Sequence, residues 1–229
     1  MRVLIIGAGG HGQVVADILL SASRQGNYVQ PLGYLDHDEG LWNMALLDLP
    51  VLGSVDECDR FDHDAVIVGV GDNLTRQRLF EQLSKSGERF ATARHPSAVL
   101  SASCVVRHGS VVSAGVVVNT SAYVGANVIL NTSCTVEHHN EIGDHAHIAP
   151  GARLGGDVTI GQGALIGIGA IVLPGCHVGA WSVVGAGAVV TEDLAAGVVA
   201  VGAPARTVSH RARRRPRPAL RVPPLSAHR

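Results

Sequence analysis

Residues 111–142 read VVSAGVVVNTSAYVGANVILNTSCTVEHHNEI, with an aliphatic side chain at every sixth place: Val112, Val118, Val124, Leu130, Val136 and Ile142. The register extends both ways. Leu100 and Val106 precede it, and Ile148, Leu154, Ile160, Ile166, Val172, Val178, Val184 and Val190 follow, sixteen positions without a gap. A period of six fits neither the ~3.6-residue repeat of an α-helix nor the ~2-residue repeat of a strand. It is the signature of a hexapeptide-repeat parallel β-helix, whose stacked turns share one apolar column. Three hexads close one triangular turn, so about five turns are expected. Outward-facing apolar residues such as Val117 and Ile129 would lie in water on an isolated coil, which argues for self-association.

The chain has 229 residues, 46% of them hydrophobic and 16% charged, which excludes a disordered protein and allows one or two domains with real cores. Formal net charge is −1, unevenly spread: 210–229 holds Arg211, Arg213, Arg214, Arg215, Arg217, Arg221 and Arg229 and no acid. Cys104, Cys134 and Cys176 each stand two residues before a repeat aliphatic, and Cys58 lies alone, so all four read as small thiols, not as a disulfide or metal set. Val3–Ile6 is the only apolar run near the N-terminus, and glycine breaks it. No signal peptide or membrane span is expected, and the cytoplasm is the expected compartment.

Upstream of the coil the pattern changes. Val3–Ile6 predicts a buried strand, Val14–Leu20 a helix, Leu32–Leu35 a second strand ending at Asp36, Ala65–Val70 a third, and Arg76–Ser84 a charged helix. Strands alternating with helices predict a parallel sheet covered by helices. The expected division is a Rossmann-like nucleotide-binding unit over 1–94, a hexapeptide coil over 95–207, and a basic tail over 208–229, too Arg/Pro-rich to build a core and expected to be disordered.

Two motifs carry chemistry. Gly7-x-Gly9-x-x-Gly12 joins the first strand to the first helix, where glycines let a phosphate approach the backbone and the helix start offers free N–H groups. Asp36 ends the next strand, the place of a ribose-binding acid. With fewer than 100 residues, the unit fits a mononucleotide better than a dinucleotide; a loop serving only a tight turn is the plainer reading. The second motif is Glu137-His138-His139-Asn-Glu-Ile-Gly-Asp-His145-Ala-His147. Histidine supplies a base near neutral pH and also ligates zinc. By register none of these four points into the coil, so each is a candidate site residue or a solvated surface imidazole. Gly202-Ala-Pro-Ala-Arg206 closes the coil.

Coil, histidine cluster, closing Gly-x-Pro-Ala-Arg and leading Gly-Ala-Gly-Gly-His-Gly together resemble the hexapeptide-repeat nucleotide-sugar acetyltransferases of the bacillosamine type, and the related sialic-acid acetyltransferases, over residues 1 to about 206. The resemblance implies a left-handed coil, a homotrimer, and acetyl-CoA as co-substrate lying between neighbouring coils. It places the catalytic base on His138, acetyl-CoA contacts on His147, Gly167, Ile168 and Ala186, and the nucleotide-sugar loop on Gly9, Gly10 and His11, with Asp36 and Gly71 closing round the nucleotide. The family often carries a glutamate after the base to orient it. Here His139 stands there, a neighbour that tunes or orients, and the orienting carboxylate must come from elsewhere, from Glu137 or Glu141. An acid often follows the Asp36 position; here it is His37. The implied reaction is acetyl transfer to the amine of a nucleotide-linked amino sugar, with no metal, no nucleic-acid partner and no covalent intermediate. Other readings are O-acetylation of a sugar such as sialic acid, a zinc hydratase like the gamma-type carbonic anhydrases, an NAD-dependent oxidoreductase, or a non-catalytic scaffold.

Overall fold

In the computed structural model, which describes residues 1–210, β1 (Arg2–Ile6) lies inside a small five-stranded sheet, one place from its edge. It pairs in parallel with β2 (Gln30–Leu35) and, on its other side, with β5 (Ala65–Val68). Side chains alternate across β1. Val3 and Ile5 meet Val15, Ile18 and Leu19 of helix α1 (Gly10–Arg24), while Leu4 and Ile6 meet Phe80 and Leu83 of helix α2 (Asn73–Lys85). A strand covered on both faces reads as a continuous aliphatic run, which is why Val3–Ile6 predicts it.

A hairpin that the sequence does not announce extends this sheet. β3 (Ala45–Leu46) runs antiparallel to β4 (Leu49–Gly53), which in turn joins β2 in parallel. Its turn residues Leu47 and Asp48 both have positive φ, 51° and 61°. Such turns usually announce themselves with Asn-Gly or Asp-Gly, and Leu-Asp carries no such signal.

β6 (Ala93–Arg94) pairs with Val111–Val112 and leads the chain into a left-handed parallel β-helix. Two-residue strands pair eighteen residues apart, as in Val117↔Thr135 and Thr135↔Arg153, and build three flat faces. One face holds the pairs beginning at Val111, Ile129, His147, Leu165 and Val183; the next holds those beginning at Val117, Thr135, Arg153, Ile171 and Val189; the third holds Tyr123, Glu141, Thr159 and His177. The column of every sixth residue fills the interior: Val118, Leu130, Ile148, Ile166 and Val184 are essentially inaccessible. Each contributes roughly 1.5–3 kcal/mol by burial. Cys134 and Cys176 are buried with it, Cys104 less so.

The N-terminal unit sits on the first face. Val111 and Ile129 join the core beneath α1, and Ala126 joins the core beneath α2. This corrects the reading of Ile129 as a residue awaiting a second copy, since its own chain covers it completely. Val198–Val201 continues this covered face, and Arg206–His210 folds back antiparallel to it. That last strand reaches three residues into the segment 208–229 read as tail; residues 211–229 lie outside the described part.

From Val106 to Val184, the third residue after each inward aliphatic turns the corner with positive φ. Glycine holds many of these places, but Ser133, His139, His145 and Asp157 hold others, with φ of 56°, 57°, 61° and 59°. A side chain in this region costs on the order of 1 kcal/mol, so His139 and His145 sit where glycine would be easier.

Candidate active site

The glycine loop is held from both sides. A Cβ on Gly12 would lie 2.0 Å from the Gly7 carbonyl oxygen, so only glycine lets α1 start so close to β1. Gly9 caps α1 in extended conformation without a side-chain bond, and around a Cβ at Gly9 or Gly10 there is nothing within 4 Å. Gly9 and Gly10 are both exposed, so the start of α1, with its free N–H groups, is open to an anion. Asp36 shapes the loop: its carboxylate accepts from the Ala8 N–H at 2.7 Å and from the Asp38 N–H at 2.9 Å. Gly71 lies opposite, with the His11 Cβ at 3.9 Å from its own notional Cβ. Beside α1 opens a cleft of about 390 Å³, lined among others by Gly10, Gln13, Leu47, Ser113, Ala114 and Thr132. The Ser113 hydroxyl is buried there without a hydrogen-bond partner.

A polar junction welds the unit to the coil. Arg76 is 1% exposed, and its guanidinium donates to the carbonyls of Asn127 (3.1 Å), His145 (2.7 Å), Ala146, Val70 and Gly71. Asn73 donates to the Gly163 carbonyl at 3.0 Å. Burial pushes the Arg76 guanidinium down to about 9. His147 points out of the coil, as its register requires, but into this junction. Its Nε2 accepts from Asn131 Nδ2 at 3.1 Å, and its ring lies 6.4 Å from that of His11. Burial, with a smaller push from the Arg76 charge, lowers His147 to about 3 and His11 to about 4. His145 is 6% exposed, accepts from Asn127 Nδ2 at 2.8 Å and packs edge-on against Phe80. It is neither a surface imidazole nor a free base. Phe80 and Arg76 cover it from a helix that the coil repeat says nothing about.

The corner after the covered face forms one open edge. Ala114, Thr132, Pro150, Ile168 and Ala186 stack at eighteen-residue steps, the first four each tied to the next turn through the carbonyl, as in Gly151 N–H to Thr132 O and Gly169 N–H to Pro150 O, both 2.9 Å. Ile168 is 62% exposed. A Cβ on Gly167 would come within 2.7 Å of the Ala186 nitrogen, so glycine keeps this edge close-packed. The cleft at α1 stands at the start of the edge that carries Gly167, Ile168 and Ala186.

His138 lies elsewhere, on the vertex between the other two faces, opposite the covered one. Its ring lies over Gly156 of the next turn, where a Cβ would approach Nε2 to 2.4 Å. His138 Nδ1 is 3.1 Å from His139 Nδ1. Glu137 does not meet this ring. The eighteen-residue register brings it over Asn119, whose Nδ2 donates to its carboxylate at 2.7 Å. The four histidines thus split into an exposed pair and a buried pair on different sides of the coil, so they do not converge on a metal. Among the described residues the one grouping of metal-binding type is Cys58, His63 and Glu88, in the N-terminal unit.

Comparison with known proteins accords with this architecture. Residues 2–83 match the PglD N-terminal domain family, and 157–192 match the bacterial transferase hexapeptide family. PerB from Caulobacter crescentus, solved in complex with CoA and GDP-perosamine, is 35% identical with a TM-score of 0.85, covering 91% of this chain and 98% of its own. The chain belongs to the nucleotide-sugar N-acetyltransferases. The acetyltransferase domain of PglB from Neisseria gonorrhoeae, in complex with acetyl coenzyme A, is 33% identical with a TM-score of 0.82, covering 90% of this chain and 98% of that domain. The UDP-N-acetylbacillosamine N-acetyltransferase of Bacillus subtilis is 36% identical over 117 residues, which is 48% of this chain and 50% of that protein. The match thus spans half the length of that curated relative.

Within this nucleotide-sugar N-acetyltransferase, one region gathers Gly9, Gly10, His11, Asp36 and Gly71, and the neighbouring edge gathers Gly167, Ile168 and Ala186. His138 and His139 stand apart from both. Sequence reasoning missed Arg76, Asn73, Asn131 and Ser113. The spacing of Asn73, Arg76, Phe80 and Leu83, one stripe of a helix, was the available signal that α2 buries this face.

Proposed function

We propose that this protein transfers an acetyl group from acetyl-CoA to the amine of a nucleotide-linked amino sugar, as a homotrimer, with His138 as general base. The observation that carries this is the arrangement of cleft and cofactor edge: the open N-terminus of α1 sits at the head of the edge formed by Thr132, Ile168 and Ala186. The nucleotide diphosphate takes the α1 N-terminus, and acetyl-CoA lies along the edge against Gly167, Ile168 and Ala186. His147 then supports the site from behind, through His11 and Asn131.

The same geometry supports the trimer. His138 occupies the vertex opposite its own nucleotide unit, so a neighbouring chain must bring that vertex to the cleft. Val99 and Ile171, exposed on the face leading to this vertex, would be covered in the process. His138 Nε2 takes a proton from the attacking amine as the N–C bond forms. The tetrahedral oxyanion collapses, the C–S bond breaks, and the thiolate of CoA takes the proton back from the imidazolium. In this reading the unit before about residue 94 supplies the nucleotide loop, and the coil supplies His138 and the acetyl-CoA edge. No helix among the described residues is long and apolar enough to cross a membrane, and the four cysteines are free thiols, which suits the cytoplasm.

The test is release of free CoA thiol from acetyl-CoA, with GDP-perosamine and with UDP-N-acetylbacillosamine as amine acceptors, alongside sedimentation. Amine-dependent thiol release by a trimer is expected. Release with hydroxyl sugars alone, or a stable monomer that is fully active, overturns the reading.

A further inference from the structure

His138 and His139 meet nitrogen to nitrogen, Nδ1 to Nδ1 at 3.1 Å, with their rings at 79°. Two lone pairs at that distance repel and two N–H groups clash, so one ring donates and the other accepts. The direction decides what remains for chemistry. If His139 donates, neutral His138 keeps its own proton on Nε2 and has no lone pair for an amine. If His138 donates, its Nε2 is bare, at an exposed vertex over Gly156.

We propose that His139 is the positioning residue of the base. It accepts the His138 Nδ1–H on its own Nδ1 and so leaves Nε2 of His138 unprotonated. Its use in catalysis rests on the acetyl-transfer reading above; the tautomer is a property of the free protein. Two further observations support it. Glu137, the nearest carboxylate in sequence, is taken by Asn119 at 2.7 Å, and among the described residues His139 is the one hydrogen-bond partner of the His138 ring. His139 also holds a corner with φ of 57°, a place that Gly115, Gly151 and Gly175 fill in other hexads. As the sugar amine attacks, its proton moves to Nε2, and the imidazolium keeps its Nδ1–H on His139 until the proton passes to the leaving thiolate. His139 fixes the tautomer without adding negative charge.

Asn and Asp carry an acceptor oxygen on Cγ, where histidine carries Nδ1, and both tolerate positive φ. The experiment uses the full chain in two arms. Long-range ¹H–¹⁵N spectra of imidazole-labelled protein, assigned with the His138→Ala and His139→Ala variants, should show His138 protonated at Nδ1 and bare at Nε2. His139→Ala should return the ring to Nε2–H, and His139→Asn should restore Nδ1–H. In thiol-release kinetics His139→Ala should lower kcat about tenfold with both KM values unchanged, the loss expected for one hydrogen bond to a charged group. His139→Asn should recover to within about threefold, and His139→Asp should match or exceed the native rate. A His138 that is Nε2–H in the native protein, a tautomer indifferent to His139→Ala, or full turnover in His139→Ala overturns the proposal. Absence of thiol release with every amine would overturn acetyl transfer instead, and the spectra would still decide the pair.

Discussion

The covered side of the coil and the vertex opposite it are built from the same hexapeptide, and each takes one pair of the four histidines in 138–147. At the vertex, His138 and His139 are exposed and touch each other. On the covered side, His145 and His147 are held by Asn127 and Asn131 beneath α2 and the glycine loop. The repeat sets which way a side chain leaves the coil. What it meets there depends on whether another element packs outside. One side therefore holds a rigid junction around the buried Arg76 charge, and the other an imidazole pair open to a ligand.

The sharpest way to break this contrast is at His138. Its removal should lower turnover by about 10²–10⁴ while stability stays within about 0.5 kcal/mol, as for other exposed positions. Steady-state kinetics and thermal unfolding of His138→Ala check both. A fall in melting temperature like that of a core variant would place His138 with the covered side.

Arg76 is the counterpart on that side. Arg76→Met keeps much of the volume but leaves the carbonyls of Asn127 and His145 unpaired. The expected cost is roughly 3 kcal/mol, since each hydrogen bond to a charged group carries about 1.5–3 kcal/mol. Urea unfolding of the variant measures it. A cost below about 1 kcal/mol would mean that apolar contacts at Val111 and Ile129 hold the two units together unaided.

Acid should separate the two sides next. His11 and His147 are lowered from 6.5 to about 4 and about 3, chiefly by burial. The unfolded chain binds these protons first. Their contribution is therefore complete above pH 6.5 and is lost as pH falls toward 4 and 3, at about 1.4 kcal/mol per pH unit for each imidazole. Stability measured between pH 7 and 4 should fall with that slope, and His147→Gln should flatten it. An unchanged slope in His147→Gln would remove His147 from the junction.

The legible parts of this molecule are those in which one element's own period decides the outcome. The column from Leu100 to Val190 points inward whatever surrounds it, and Val3–Ile6 followed by Gly7 and Gly12 can hardly be anything but a strand feeding a helix. The opaque parts depend on a second element. Arg76 lies in a helix rich in charge and reads as solvated, yet it is buried because the coil corner presents carbonyls to it. Ile129 reads as an exposed apolar residue for the same reason, its cover lying some hundred residues upstream. The hairpin at Leu47–Asp48 was hidden because its turn uses strained residues in place of glycine. Glu137 could not be separated from His139 as the partner of His138 without the eighteen-residue register that gives it to Asn119.

The smallest expected effect lies where the two sides come nearest in function. Gly10 is the first residue of α1 and borders the cleft, yet around its notional Cβ there is nothing within 4 Å. Packing therefore does not require glycine there, in contrast to Gly12, whose Cβ would strike the Gly7 carbonyl. Gly10→Ala should leave the fold intact and even stabilise it by up to about 0.5–1 kcal/mol, because alanine loses less backbone freedom in a helix. If a diphosphate uses the N–H groups at this helix start, the added methyl holds it off. KM for the nucleotide sugar should then rise several-fold while KM for acetyl-CoA stays as it was. Thermal unfolding and the two KM values settle the point together. A stable variant with both KM values unchanged would mean that the open space beside Gly10 is not where the phosphates lie, and the nucleotide would have to be sought nearer His11 and Gly71.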